Sequence, residues 1–472
     1  MQKVFSTHQP PKNGFPWKLA LPLYALSNFL LLLFLKSYFS EDWQTYYFES
    51  NYGTKEIFDH SGSWPIRGLI EVDLLSRRPE LFRVIAILFF FSAGWCLFHI
   101  LNTLKFLTSE QVRIITILFL ILPINSERVR VLNFFYAYSL FFFYLAWYLL
   151  VTKRSRLARF LSILIFLLSF DNIALVVFFA VPCAHFLYTK LSVPETSRWN
   201  AYLSSALFAT IAPVHWIIER RFNTPQEGWR DYYTLRPLGI LRGSALLFVC
   251  LIAILWVLKL RRTHAFENKR YALVVIGMTI TAIGAFPYIV GGYLVDISAW
   301  LLAFVPGFSA DASRHQLLLG LGLAITTTGV IGSVDSAFKR HCLAVLFGIC
   351  VMWNITYMHS YYLDALKQDQ LVAAFRQSSE LKNSRVIMIN DLTDAFNARG
   401  RLSIYYEWDP LLAKAFGDNL RSSIAEMTYV RCNDPIIPDT ILTITARNGR
   451  FESTLTRDIG IELSVESIYP CN

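Results

Sequence analysis

The chain reads as mainly α: a polytopic bundle of transmembrane helices with a small α/β domain at its C-terminus. Three observations point there. Of 472 residues, 54% are hydrophobic and only 17% charged, whereas soluble domains carry roughly 25% charged residues. The apolar excess is gathered into blocks such as Leu19–Leu35 and Leu246–Leu258, and blocks of about 20 apolar residues match a bilayer core. Beyond residue 362 the blocks give way to short strand-like and helix-like runs.

The blocks divide into about eleven spans, at 18–39, 81–104, 112–124, 131–151, 157–170, 172–189, 201–218, 240–259, 271–292, 316–334 and 341–359. The first follows Lys3, Lys12 and Lys18. It is too long for the apolar core of a signal peptide and no small-residue cleavage site follows, so it is expected to remain as a membrane helix. The third and fifth are short, and are expected to tilt or to continue into their flanks. Trp17, Tyr38, Trp43, Tyr271 and Trp300 stand near block ends, as aromatic residues do at the membrane interface.

Charge then predicts orientation. The N-terminus, Lys105 with Arg113, Lys153 to Arg159, Lys190 with Arg198, Lys259 to Arg270, and Lys339–Arg340 fall on one side of this arrangement. The positive-inside rule makes that side cytoplasmic. The opposite side receives the loop 40–80, the turn 125–130, Asp171–Asn172, the loop 219–239, the stretch 293–315 and the C-terminal region. The loop 219–239 breaks the rule, since it carries Arg220, Arg221, Arg230 and Arg236; an anionic ligand would account for it. The stretch 296–307 is apolar but too short to span, and reads as interfacial or re-entrant. The net charge of +10 thus sits mostly in short topogenic loops and does not indicate nucleic acid.

Two regions follow, 1–362 in the membrane and 363–472 outside it. In the second, Arg385–Asn390, Thr440–Thr445 and Ile459–Val465 read as strands and Pro410–Phe416 as a helix. Cys432 and Cys471 lie here; an oxidising compartment would allow a disulfide, and two free thiols fit equally. No Walker loop, GxGxxG, CxxC pair or HExxH occurs, so no soluble cofactor chemistry is indicated.

The sharpest candidate for chemistry is Glu41–Asp42, directly after the first span. A helix leaving a membrane needs polar residues, which is one reading. The other is functional: one carboxylate serves as general base and its neighbour holds a divalent cation or orients an acceptor. The pair, its long outer loop, the number of spans and the C-terminal domain together resemble the GT-C superfamily of membrane glycosyltransferases, in the form found in bacterial surface-polysaccharide pathways. The resemblance implies a polyprenyl-phosphate-linked sugar donor and an acceptor that is a glycan, a lipid or a protein. It implies transfer on the outer face of the bacterial inner membrane, with inversion, Asp42 or Glu41 as catalytic base and Mg²⁺ or Mn²⁺ as a candidate ion on the two.

Further candidates lie on the same face. Arg67, in a loop that also carries Asp59, His60, Trp64, Glu71 and Asp73, suits a lipid phosphate. Glu127 and Arg128 stand at the mouth of the bundle, where the planar guanidinium donates two hydrogen bonds to a phosphate. Asp171 either caps the next helix or adds a second acid. Arg314–His315 opens the tenth span; a cation is unfavourable at a helix N-terminus unless an anion sits there too. Arg221, with Arg220 and Arg230, shares that phosphate role. His99 and His185, on apolar spans, read as core residues. A surface-polysaccharide polymerase or ligase is an alternative kept alive by the loop 219–239. A flippase or transporter is another, although neither repeats nor mid-span charges favour it. An acyltransferase would rest on Arg314–His315 alone.

Overall fold

The computed structural model describes residues 14–39, 78–124, 130, 134–153, 155–170, 172, 174–191, 197–222, 237–262, 269–291, 316–332, 336–398, 403, 405–417, 422–425, 440–446 and 461–467. The stretch 296–307 and Cys432 and Cys471 lie outside them.

The architecture is mainly helical. The membrane part comprises α1 (Trp17–Asn28), α2 (Pro79–Leu101), α3 (Ser109–Ile121), α4 (Phe134–Thr152), α5 (Arg156–Ser169), α6 (Ala174–Phe178), α7 (Ala180–Leu191), α8 (Arg198–Ala209), α9 (Ile211–Phe222), α10 (Pro237–Arg262), α11 (Lys269–Gly291), α12 (Leu319–Ile331) and α13 (Ser336–Gln377). Among the described residues, five segments are long and apolar enough to cross a membrane, at Pro79–Leu101, Ala174–Leu191, Arg198–Ile218, Tyr271–Val290 and Phe338–Gln377. Large apolar side chains such as Trp199 and Leu207 on one of these segments, and Phe248 and Val249 on α10, are exposed, which suits a lipid surround. The chain is an integral membrane protein.

Local chemistry explains where the helices start. Pro79 occupies the first turn of α2, where no N–H is needed. Thr108 and Gln111 close a capping box on α3, and Ser155 and Ser197 cap α5 and α8. α3 is only 13 residues long because protein surrounds it: Val112 and every residue from Ile114 to Ile121 are buried.

Four expected spans differ in the structure. The first is α-helical only to Asn28, then tightens into a 3-10 turn at Phe29–Leu33 and leaves helical geometry. The span expected at 201–218 is two helices broken at Thr210. Pro213 is the cause: it lacks an N–H and its ring crowds the carbonyl of Ala209. Pro182 has the same relation to Phe178, where α6 ends. The last span does not stop at residue 359. α13 runs unbroken for 42 residues, about 63 Å at 1.5 Å per residue.

The C-terminal half of α13 enters the C-terminal domain. There α14 (Ser379–Asn383), β1 (Val386–Asp391), α15 (Tyr405–Phe416), β2 (Ser422–Ala425), β3 (Thr440–Ala446) and β4 (Ile461–Ser467) form a mixed sheet of order β2-β1-β3-β4. β1 pairs parallel with β2 and β3, with Met388 opposite Ile424 and Ile441, and β3 pairs antiparallel with β4. The expected strands and helix are all present; β2 is additional. Leu371, Val372 and Phe375 of α13 share one core with Ile387, Ile389, Trp408, Leu412, Leu442 and Ile444. Gly417, at φ 77°, ends α15.

Among the described helices, α11 and α12 approach very closely. A Cβ at Gly277 would lie 2.4 Å from the Thr326 nitrogen, and one at Gly322 would lie 2.3 Å from the Thr281 nitrogen. Small residues permit such contact between membrane helices. Gly322→Leu is therefore expected to force the pair apart and cost about 3 kcal/mol or more, whereas Gly348→Leu, with nothing within 4 Å of its Cβ, should leave stability nearly unchanged. Thermal unfolding of the two detergent-solubilised variants checks this.

Candidate functional site

One set of polar and aromatic contacts lies at the end of the bundle that carries the C-terminal domain. The first span arrives here without helical hydrogen bonding. Its Phe34 and Leu35 carbonyls both accept from one guanidinium nitrogen of Arg83, the former at 3.4 Å. Arg83 is 1% exposed and lies over the ring of Phe39, 5.3 Å from its centroid. Phe39 in turn meets Phe34 edge-on at 5.6 Å and Tyr361 of α13 at 5.0 Å. Phe34, Phe39, Tyr361 and Met358 form a buried cluster with Ala398 of the C-terminal domain. Tyr38 packs against that domain's own core. The segment 34–39 is thus wedged between α2, α13 and the domain.

Other ties close the same end. Asn354 of α13 donates to the Ile121 carbonyl at 2.7 Å, which satisfies an otherwise orphaned carbonyl at the C-terminus of α3. Phe134, opening α4, meets Phe82 of α2 at 5.0 Å. Arg130, four residues earlier, is 1% exposed. Two arginines are therefore buried near one mouth of the bundle.

At the next level α13 grips the domain through charge. Lys367 donates to Asp391 Oδ2 at 2.5 Å, Asn397 Oδ1 at 2.6 Å and the Thr393 carbonyl at 3.2 Å, and lies over the Trp408 ring. All three ammonium protons are used. One turn earlier Asp364 accepts from the Ala398 N–H at 2.8 Å and from Gln368 at 2.9 Å. Since α13 meets β1 at the strand's carboxyl end, the carboxyl edge of the parallel strands is turned toward the membrane helices.

Of the residues expected at the site, Glu41, Asp42, Arg67, Glu127, Arg128, Asp171, Arg314 and His315 lie outside the described residues. The structure describes Arg221, which is exposed in the last turn of α9. Beside the position of Asp171, the Asn172 Oδ1 accepts from the Ala174 N–H at 3.2 Å. His185 is a satisfied core residue: Trp147 donates to its Nδ1 at 3.1 Å, so Nε2 carries the proton and donates to Thr103 at 2.8 Å. His99 packs against Trp95 and Tyr148. Arg83 was missed as a candidate, although a cation near the end of an apolar span is a functional signal in its own right. Among the described residues no group of three His, Cys, Asp or Glu is placed to hold a metal ion.

No protein family, curated protein or solved structure matches the chain.

Two measurements test the electrostatics of the junction. Lys367→Met removes the cation and leaves the Asp391 carboxylate half-buried, at an expected cost of about 3–5 kcal/mol, with partial recovery in the double variant with Asp391→Leu; limited proteolysis of the domain reads both. Burial raises the Asp409 pKa above its usual 3.8, against the opposing hydrogen bonds from Ser423. A folded state with a raised carboxyl pKa binds its proton more tightly than the unfolded chain, so this group's contribution to stability falls as pH rises through that window. Asp409→Asn keeps the acceptor and removes the charge. Its melting temperature should exceed wild type at pH 7, with the difference shrinking as pH falls toward 4.

Proposed function

We propose that the chain is a membrane glycosyltransferase, of GT-C type, that moves a sugar from a polyprenyl-phosphate-linked donor to a glycan, lipid or protein acceptor. The observation that carries this reading is the acidic pair Glu41–Asp42, which follows Phe39 by two and three residues in the sequence, after the first span has left helical geometry at Leu33. A general base benefits from a rigid mount, and the segment leading to this pair is held on three sides.

In the reaction, an acceptor hydroxyl attacks the anomeric carbon of the donor. The new C–O bond forms as the bond to the lipid phosphate breaks, with inversion. Asp42, or Glu41, takes the hydroxyl proton. Arginine side chains neutralise the departing phosphate; Arg128, Arg314, Arg67 and Arg221 are the candidates, with His315, Glu127 and Asp171 lining the substrate. Mg²⁺ or Mn²⁺ belongs to this reading as a charge neutraliser on the Glu41 and Asp42 carboxylates. The topology of about eleven spans, with the N-terminus cytoplasmic and the domain outside the bacterial inner membrane, puts all of these groups on one face.

Asp42→Asn and Glu41→Gln, each expressed in the source cell, test the proposal. Loss of the base is expected to slow transfer by about 10²–10⁴-fold, seen as a sugar missing from the surface glycan. Unchanged glycan in both variants at normal protein levels refutes it.

A further inference from the structure

We infer that Arg159 and Lys190 hold the phosphate headgroup of an anionic phospholipid, at the end of the bundle away from the C-terminal domain. The site shares no residue with the glycosyltransferase reading and does not rest on it. Its place follows from two contacts. Glu110, opening α3, pairs with Lys339, opening α13, at 2.9 Å, while the far half of α13 carries the domain. Thr103, just before α3, meets His185 of α7 at 2.8 Å. Lys190, in the last turn of α7, therefore lies at the end opposite the domain.

The cations here are not balanced within the described protein. α5 opens on Arg156 and Arg159 with no acid in its first turn. The start of a helix is the positive end of its dipole, so two arginines are out of place there unless an anion joins them. Lys190 suits the C-terminal end of α7, but Arg159 lies close enough for the two charges to repel. The Lys190 ammonium also sits over the Phe186 ring, 5.3 Å from its centroid. Among the described residues no carboxylate forms an ion pair with Arg156, Arg159 or Lys190. At the same end of the bundle Lys339 does have its carboxylate, Glu110. Setting topology calls for positive charge in a loop; it does not call for cations of two separate helices to be brought together. A phosphate between them turns the repulsion into charge-assisted hydrogen bonds. The surroundings decide the source of that phosphate. Leu157, Phe160, Leu161 and Leu164 of α5 and Leu191 of α7 are all exposed. A soluble anion leaves this apolar surface bare, whereas the acyl chain of a headgroup held at Arg159 covers it.

The test reads lipid retention rather than activity. The full chain in detergent is mixed with phosphatidylglycerol and phosphatidylcholine of the same acyl chains, and native mass spectrometry follows which lipid stays bound as the detergent is stripped. The wild type is expected to retain one phosphatidylglycerol in preference to phosphatidylcholine. Arg159→Gln with Lys190→Gln should lower that preference by roughly ten- to thirtyfold, the worth of two cations beside an anionic lipid. Arg159→Lys with Lys190→Arg keeps both charges and should keep most of the preference, which separates loss of the site from loss of the fold. A charge-matched control, Lys18→Gln with Arg340→Gln, removes two exposed cations from the starts of α1 and α13 and should leave the preference unchanged. Equal retention by the wild type and the Arg159/Lys190 glutamine variant overturns the inference. An equal loss in the control overturns it as well, since net charge and not a site would then attract the lipid. Displacement of the lipid by an equal concentration of inorganic phosphate overturns the assignment to a phospholipid, because the acyl chain would then contribute nothing.

Discussion

Inside a bilayer a peptide carbonyl has no water to turn to, and each one left without a donor costs several kcal/mol. Most of this protein meets that demand with regular helix. The first span does not: beyond Asn28 its backbone tightens and then leaves helical geometry. The structure around residues 34–39 is a response to that departure. Arg83 supplies donors, Phe39 and Tyr361 supply a dry aromatic surround, and the C-terminal domain closes the remaining side with Ala398. Remove the irregular exit and there is little reason for an arginine to be buried in α2.

The C-terminal domain is accordingly part of the same construction. α13 contributes to the bundle, to the aromatic wedge and to the domain core without a break. Lys367 and Asp364 then prevent the domain from turning about that helix, because their partners lie at the end of β1 and in the segment that follows it. Parallel sheets usually bind ligands at the carboxyl ends of their strands. In this chain that edge meets the membrane helices.

Much of this was legible in the residues. Apolar blocks marked the helices, and alternating apolar patterns marked β1, β3 and β4. Three things were hidden for physical reasons. Hydropathy does not register backbone geometry, so the unwinding after Asn28 and the break before Pro213 pass unnoticed in an apolar run. β2 is four residues long, two of them serine, and owes its existence to pairing with β1 rather than to its own propensity. α13 continues past its apolar part because its polar residues there bond to the domain, a tertiary effect that no local pattern carries. For the candidate site, the acidic pair was visible as a motif, whereas Arg83 looked like an ordinary flanking charge, since its value depends on carbonyls nearly 50 residues away in the chain.

The continuity of α13 has a mechanical consequence. A rod of about 63 Å exceeds a hydrocarbon core of about 30 Å, so roughly half of it serves as a mast. Its apolar lower part is seated by the bilayer and its upper part is locked to the sheet. The height of the domain above the lipid is therefore a property of the membrane as well as of the protein: a thicker bilayer draws the mast in or tilts it, and the carboxyl edge of the sheet descends with it.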